Sequence, residues 1–579
     1  MNLKRIIATF AAVPLVFAAA FAAGRSDLAD AVMKGDKAAV RTLIQQKADV
    51  NAPQADGATA LHWAVYKDDL ETVDLLIRSG ATVKAANRAG ATPLYLASLN
   101  GNAAVIEKLL NAGAGANERG PNGETALMLA AHNGNPAAIK MLIDRGADVN
   151  AKEPLRETTA LMWAIEQEHP PAVKMLVDHG ADIKAQSKIE ANARRARVAE
   201  TPTAAGGQRG AGQRGGGQRG GGQRGAAPAA APAAEAAATA AAAPAGDDQD
   251  QDDAPPAEPL GATGGLTPLV FAARQNDLES AKILLAAGAD INGTSAYGWT
   301  PLLTATKNGF YKFANYFIDH GADVNIANKG GWTPLYLATD NRNIEGGDYP
   351  TRKSDIDDLV YIQKLLDKGA NVNARAGEST ETRTVFTNQW LNEAGATPFL
   401  RAAQSGDIVL MRLLLKYGAD PKIPTNKGTT ALAVASGIGW VEGITHELSE
   451  KESFEAVKLC LDLGVDPNAI DSDGRAAIHG AAHKGRNDVV QILADHGAKL
   501  DVRDKGSRDT RAGPLVGHGW LALDYSEGLV RVGVQSAIPH PQTAALLRKL
   551  MTERGLEVPA AGRNSTYSIC LVEVCKSPN

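Results

Sequence analysis

A short phrase recurs along this chain at a nearly constant interval, and nothing else in the sequence narrows the fold as much. It reads TALHWA from Thr59, TPLYLA from Thr92, TALMLA from Thr125 and TALMWA from Thr159, with starts 33, 33 and 34 residues apart. It returns as TPLVFA from Thr267, TPLLTA from Thr300, TPLYLA from Thr333, TPFLRA from Thr397 and TALAVA from Thr430. Weaker copies begin at Ser26, Ala476 and Leu521, which makes twelve units. A period of this length is one supersecondary unit that cannot bury its own apolar face. Neighbours must stack, and stability becomes a sum over units and the interfaces between them. A chain of 579 residues is also far above the size at which a single core stops growing. Hydrophobic residues make up 44% of it but aromatics only 5%, which leaves Ala, Leu and Val to form thin helical layers.

Each unit can be read physically. Thr followed by Pro or Ala opens a helix, because the hydroxyl accepts from a free amide and Pro already has helical φ. That first helix stops at a Gly such as Gly101, Gly134, Gly309, Gly406 or Gly485, where left-handed backbone costs little. A second amphipathic helix follows, as in VDLLIRSG or IKMLIDRG, and stops at another Gly 21 residues after the opening Thr in most units. The GADVN-type stretch beyond it is short, polar and turn-forming, suited to a hairpin between helix pairs. The first unit has Lys47 where the second Gly belongs, and the last unit is equally degraded; both departures suit end caps.

TPLHxA at a period of 33 resembles the signature of the ankyrin-repeat family. The resemblance implies an all-α ankyrin-repeat α-solenoid of helix-turn-helix units joined by β-hairpin loops. Its repeats form two blocks, 26–186 (units one to five) and 265–560 (units six to twelve), followed by a tail, 561–579. It further implies that a protein partner meets the hairpin tips and the concave, first-helix side. On that basis Tyr66, Lys67, His132, Arg274 and Lys307 are candidate contacts on first helices, with Asn133, Gln275 and Asn308 beside them. Tyr297, Trp299 and Trp332 are candidates at the tips. Trp63, Trp163 and Phe271 stand where the family prefers Leu and are expected in the core. His62 and His479 take the place of the family's scaffold histidine.

Between the blocks, 187–264 reads as a disordered linker: four QRG steps, an Ala/Pro tract and DDQDQDD from Asp247 to Asp253. Thr159 to Thr267 is 108 residues, one repeat plus 75, so the fifth and sixth units can stack or stand as separate arms. Arg-Gly steps also open a nucleic-acid alternative, but the run has no aromatics and an acidic block follows. Smaller insertions extend units eight and ten and place Trp390 and Trp440 in loops, where each either pins its loop or anchors a partner.

Lys4 and Arg5 precede an apolar run from Ile6 to Phe21, and Ala20-Phe21-Ala22 has small-x-small form, so 1–22 reads as a bacterial export signal. The expected location is periplasmic or secreted. The alternative is an inner-membrane anchor at 6–23. In an oxidising compartment Cys570 and Cys575 could form a disulfide, whereas Cys460 takes a buried leucine position. His179, His320 and His496 each precede a helix-ending Gly, where a ring nitrogen can meet free carbonyls. Asp471-Ser472-Asp473-Gly474 echoes a calcium loop but lacks its closing glutamate, and no catalytic, cofactor or metal constellation emerges. Net charge of −5 gives no general case for nucleic acid or anionic lipid. The expected function is a non-catalytic scaffold for a protein partner. The alternative is an enzyme or enzyme subunit with a site in the loops at 437–452 and 517–540.

Overall fold

The computed structural model describes residues 26–190, 262–343, 353–378, 391–440, 447–506, 519–532, 535–536 and 538–560. By its contacts the chain divides into Met1–Ala191 with Gly261–Asn579, and Asn192–Leu260; every described residue belongs to the first of these. Among the described residues, the helices fall into twelve pairs, one per repeat of the phrase. Unit two is Ala60–Tyr66 with Leu70–Arg78, unit three Pro93–Asn100 with Ala103–Asn111, unit four Ala126–His132 with Pro136–Asp144, and unit five Ala160–Glu166 with Pro170–Asp178. Units eight to eleven begin with Pro334–Arg342, Pro398–Gln404, Ala431–Ser436 and Ala477–His483.

The opening Thr caps as its chemistry requires. Thr92 Oγ1 accepts from the Tyr95 amide at 3.2 Å and Thr300 Oγ1 from the Leu303 amide at 3.0 Å, each cap contributing about 1 kcal/mol. Where the phrase has His instead, His62 Nδ1 accepts from the Thr59 amide at 3.1 Å while Nε2 reaches the Ala91 carbonyl at 3.1 Å. First helices end in left-handed backbone: Gly101 has φ 73°, and Asp68 and Glu168 take φ 60° and 56° in the units that lack the Gly. Lys47, just past the second helix of unit one where other units have Gly, takes the same conformation at φ 61°. Between the helices of each pair lies a fully buried layer, such as Leu61, Ala64, Val65, Val73 and Leu76 in unit two.

Two sets of hydrogen bonds join consecutive units outside the helices. The Asn of the GADVN phrase donates to the carbonyl of the next unit's second Gly and accepts from an amide two residues beyond it. Asn150 does so with Gly180 at 3.1 Å and Asp182 at 2.8 Å, and Asn373 with Gly418 and Asp420. Hairpin tips add single backbone bonds, as from the Arg88 amide to the Asp56 carbonyl at 2.8 Å.

Units five and six stack. Their junction is an antiparallel pair, β1 (Ile189–Glu190) with β2 (Thr263–Gly264), and the Ser187 amide donates to the Leu266 carbonyl at 3.1 Å. Arg274 of unit six reaches Glu166 of unit five at 3.3 Å. The linker edges expected at 187 and 264 therefore move inward, because those residues complete the hairpin ladder.

Candidate binding face

The fourth and seventh residues after each opening Thr lie on the first-helix face turned away from the second helix. In units two to five the fourth positions are Trp63, Leu96, Leu129 and Trp163, and the seventh are Tyr66, Leu99, His132 and Glu166. Tyr66 is 59% exposed and Leu99 49%, His132 is exposed, and Trp63, Leu96 and Trp163 are half-buried. Trp63 meets Tyr66 edge-on at 5.8 Å, and Trp163 meets His132 at 5.9 Å. The indole N–H groups are held from below, by Gln54 Oε1 at 2.6 Å and Thr158 Oγ1 at 2.9 Å, which fixes the rings with their faces available. Scattered exposed apolar residues are ordinary, but a contiguous row rimmed by polar groups marks a binding surface. Lys67 borders it on one side; Arg88, Arg119, Lys152 and Arg156 stand exposed along the hairpins on the other. The expectation that Trp63 and Trp163 are core residues is thus only half met, whereas Phe271 is buried, at 3% exposure.

Of the candidates farther along, Arg274 is exposed but lies over the Phe271 ring at 5.1 Å and pairs with Glu166. Lys307 Nζ sits over Trp299 at 4.9 Å, and both residues are half-buried. Trp332 and Tyr297 are not surface tips. Trp332 is 1% exposed with its Nε1 donating to the Glu378 carbonyl at 3.0 Å, and the Tyr297 hydroxyl donates to the Glu378 carboxylate. The extended hairpin after unit eight brings Glu378 over both rings. Trp390, Cys570 and Cys575 lie outside the described residues.

In units eight to eleven the same positions are buried. Asp340 holds the seventh place of unit eight and Arg401 the fourth of unit nine, and Arg401 Nε meets Asp340 Oδ1 at 2.8 Å. The remaining Arg401 nitrogens donate to Ser405 Oγ at 2.9 Å and the Asn343 carbonyl at 2.5 Å. Arg342 Nε pairs beside them with Asp407 at 2.6 Å. The covering material is the chain's own insertion. A Cβ at Gly480, the fourth position of unit eleven, would come 2.6 Å from the Ile438 amide, where the insertion leaves the end of unit ten's first helix, so backbone packs directly against that position. Gly439 packs on Leu391 and the Gln404 side chain, and Trp440 meets His483 at 5.8 Å. Lys484 Nζ lies 5.4 Å from the Trp440 ring and 2.8 Å from Glu447 Oε1. Burial alone would raise the Glu447 carboxyl, but Lys484, Ser453 and Arg486 outweigh it and hold it below the usual carboxylate range. Burial, and then the charges of His540 and Lys484, lowers His483 to about 4. Trp440 therefore pins its loop.

His179, His320 and His496 each place Nδ1 within 2.8 Å of the carbonyl four residues back. Cys460 is buried, and burial pushes its thiol up to about 12. Arg475 fills the Asp471 turn, its Nε 2.9 Å from Asp471 Oδ2, where a calcium ion would have needed open oxygens. Among the described residues, no group of three or more His, Cys, Asp or Glu could hold a metal, and no helix is long and apolar enough to cross a membrane.

Family models for ankyrin repeats match residues 28–119, 94–187 and 269–349 in three-copy form, 446–494 in many-copy form and 394–426 as a single repeat. Among curated proteins, the chain is 33% identical over 154 residues to palmitoyltransferase AKR1 of Lachancea kluyveri, covering 27% of this chain and 20% of that one. It is 28% identical over 142 residues to the "Ankyrin repeat, SAM and basic leucine zipper domain-containing protein 1" of Dasypus novemcinctus (24% and 25%). It is also 40% identical over 58 residues to serine/threonine-protein kinase 12 of Arabidopsis thaliana (10% and 13%). The chain thus spans a quarter or less of the length of these relatives. The human ASB11 ankyrin repeat domain matches at 21% identity and TM-score 0.33, over 48% of this chain and 92% of that one.

Proposed function

The chain belongs to the ankyrin-repeat family, and on that footing we propose a non-catalytic scaffold that holds a protein partner on the first-helix face of units two to five. One observation carries the reading: Tyr66 and Leu99, 33 residues apart, are large apolar side chains left 59% and 49% exposed at equivalent positions, in a row with Trp63, His132 and Trp163. Rigid aromatic groups on a fixed helical layer lose little entropy on binding, which makes them efficient anchors. Lys67 belongs to this face, Arg274 borders it, and Trp299 with Lys307 forms its far edge. In the segments invoked by the enzyme alternative, Glu447 is engaged by Lys484 and Glu527 by Arg548. The enzymatic names among the relatives belong to proteins of which this chain spans a fifth or less.

The test is cross-linking in whole cells followed by identification of the captured protein. With Tyr66→Ala, Leu99→Ser and His132→Ala combined, capture is expected to fall about a hundredfold, since the three side chains together supply about 3 kcal/mol. Undiminished capture would place the interface elsewhere. We further propose that the chain is exported, on the grammar of Lys4, Arg5 and the apolar run to Phe21. The N-terminus of the mature protein from fractionated cells should then be Ala23, and recovery of a chain starting at Met1 from the cytoplasm would refute export.

A further inference from the structure

The repeat gives the molecule an internal comparison: positions open in one unit are occupied in another, and the occupant is visible. Tyr66 and Lys67 of unit two are the seventh and eighth residues after the opening Thr, and their counterparts in unit eleven are His483 and Lys484. Over His483 lies Trp440 in an edge contact at 5.8 Å. The Lys484 ammonium stands 5.4 Å from that same ring and takes a carboxylate, Glu447, at 2.8 Å. Trp440 and Glu447 belong to one inserted segment lying across units nine to eleven: Gly439 packs on Gln404, and the Leu448 amide donates to the Ser405 carbonyl at 3.2 Å. This face is therefore filled by a peptide segment presenting an aromatic ring and a carboxylate to a ring-plus-lysine pair.

Unit two has the receiving half of that arrangement without an occupant from the described residues. Tyr66 and Lys67 are exposed. The fourth position differs in a way that sets the height of the occupant. Gly480 admits backbone, whereas Trp63 and Trp163 raise the floor, so a segment on units two to five meets ring faces with its side chains. Lys67 stands exposed at the position that Lys484 holds in unit eleven, so a carboxylate on an incoming segment has a cation to meet there.

We infer that the first-helix face of units two to five takes an extended segment of a partner protein carrying an aromatic residue and, a few residues on, a carboxylate, the ring against Tyr66 and the carboxylate on Lys67. This rests on the scaffold reading and narrows it to a partner of stated chemistry.

The chain's own insertion supplies the probe. A labelled synthetic peptide of residues 437–450 is titrated with the full-length protein and followed by fluorescence anisotropy. The expected result is saturable binding with a dissociation constant below about 1 mM. It should weaken about tenfold when the protein carries Tyr66→Ala with Lys67→Glu, and about tenfold when the peptide carries Trp440→Ala or Glu447→Gln. Both protein positions are exposed, so an unchanged far-ultraviolet spectrum confirms an intact fold, and Lys67→Met repeats the test without reversing charge. Three results would overturn the inference: no saturation up to about 1 mM, binding indifferent to the protein or peptide substitutions, or equal binding by an acidic peptide of residues 246–253, which would mean charge attraction alone. If cells still yield a Tyr66-dependent captured protein while the peptide fails, this inference falls and the scaffold stands. If no protein is captured at all, the scaffold reading falls first.

Discussion

Units two to five and units eight to eleven build the same face from the same positions and reach opposite outcomes. In the first group the fourth positions are large and apolar, the loops between paired helices are short, and Tyr66, Leu99 and His132 at the seventh positions stay exposed. In the second, units eight and ten carry long loops, the fourth and seventh positions are all buried, and the face is closed by pairs such as Asp340 with Arg401. A cover of backbone needs a thin floor, hence Gly480, and polar atoms shut away from water need partners, hence the ion pairs. Insertion length and residue type at two repeat positions thus decide whether a unit serves the interior or the exterior of the molecule.

Removing one partner of the closed face should have the largest effect. Arg401→Ala leaves the Asp340 carboxylate buried without its cation, a loss of about 3–5 kcal/mol, read as faster amide exchange in units eight and nine with units two to five unaffected. Arg401→Met with Asp340→Leu should recover most of it. Equal loosening in both groups would erase the distinction between them.

A smaller effect follows from acid. His483 titrates at about 4 when folded against roughly 6.5 when unfolded, so the unfolded chain binds the proton first as pH falls. Its contribution is intact above about 6.5 and drains away toward about 4, roughly 3 kcal/mol in all. Burial also lowers His62 and His479, which gives both groups of units a shared acid slope. Denaturant unfolding across this range should show His483→Gln losing the extra slope of the closed face, and a variant with the parent's slope would contradict the assignment.

The helix pairs were legible because their signals are local and repeated: Thr caps, left-handed stops and a second helix of fixed length. Even Lys47, which breaks the Gly rule, adopts the conformation its position demands. The closed face was not legible, since Asp340 and Arg401 lie 61 residues apart in different units and no period links them. Trp332 and Tyr297 looked like surface tips because the regular repeat puts those positions at a hairpin. Only Glu378, from an insertion, buries them. Stacking across the linker needed backbone bonds such as Ser187 to Leu266, because counting residues allowed either outcome. The Asn of GADVN stood in plain view as a recurring residue, and its role appears only when its two partners in the next unit are seen.

The central claim is that one face is open to a partner and its counterpart is already taken. Oxidative footprinting of the full chain, with and without its captured partner, tests this directly. Protection on binding should concentrate at Trp63, Tyr66 and Trp163 and leave Trp332 and Trp440 unchanged. Protection at Trp332 or Trp440, with Tyr66 still reactive, would contradict it.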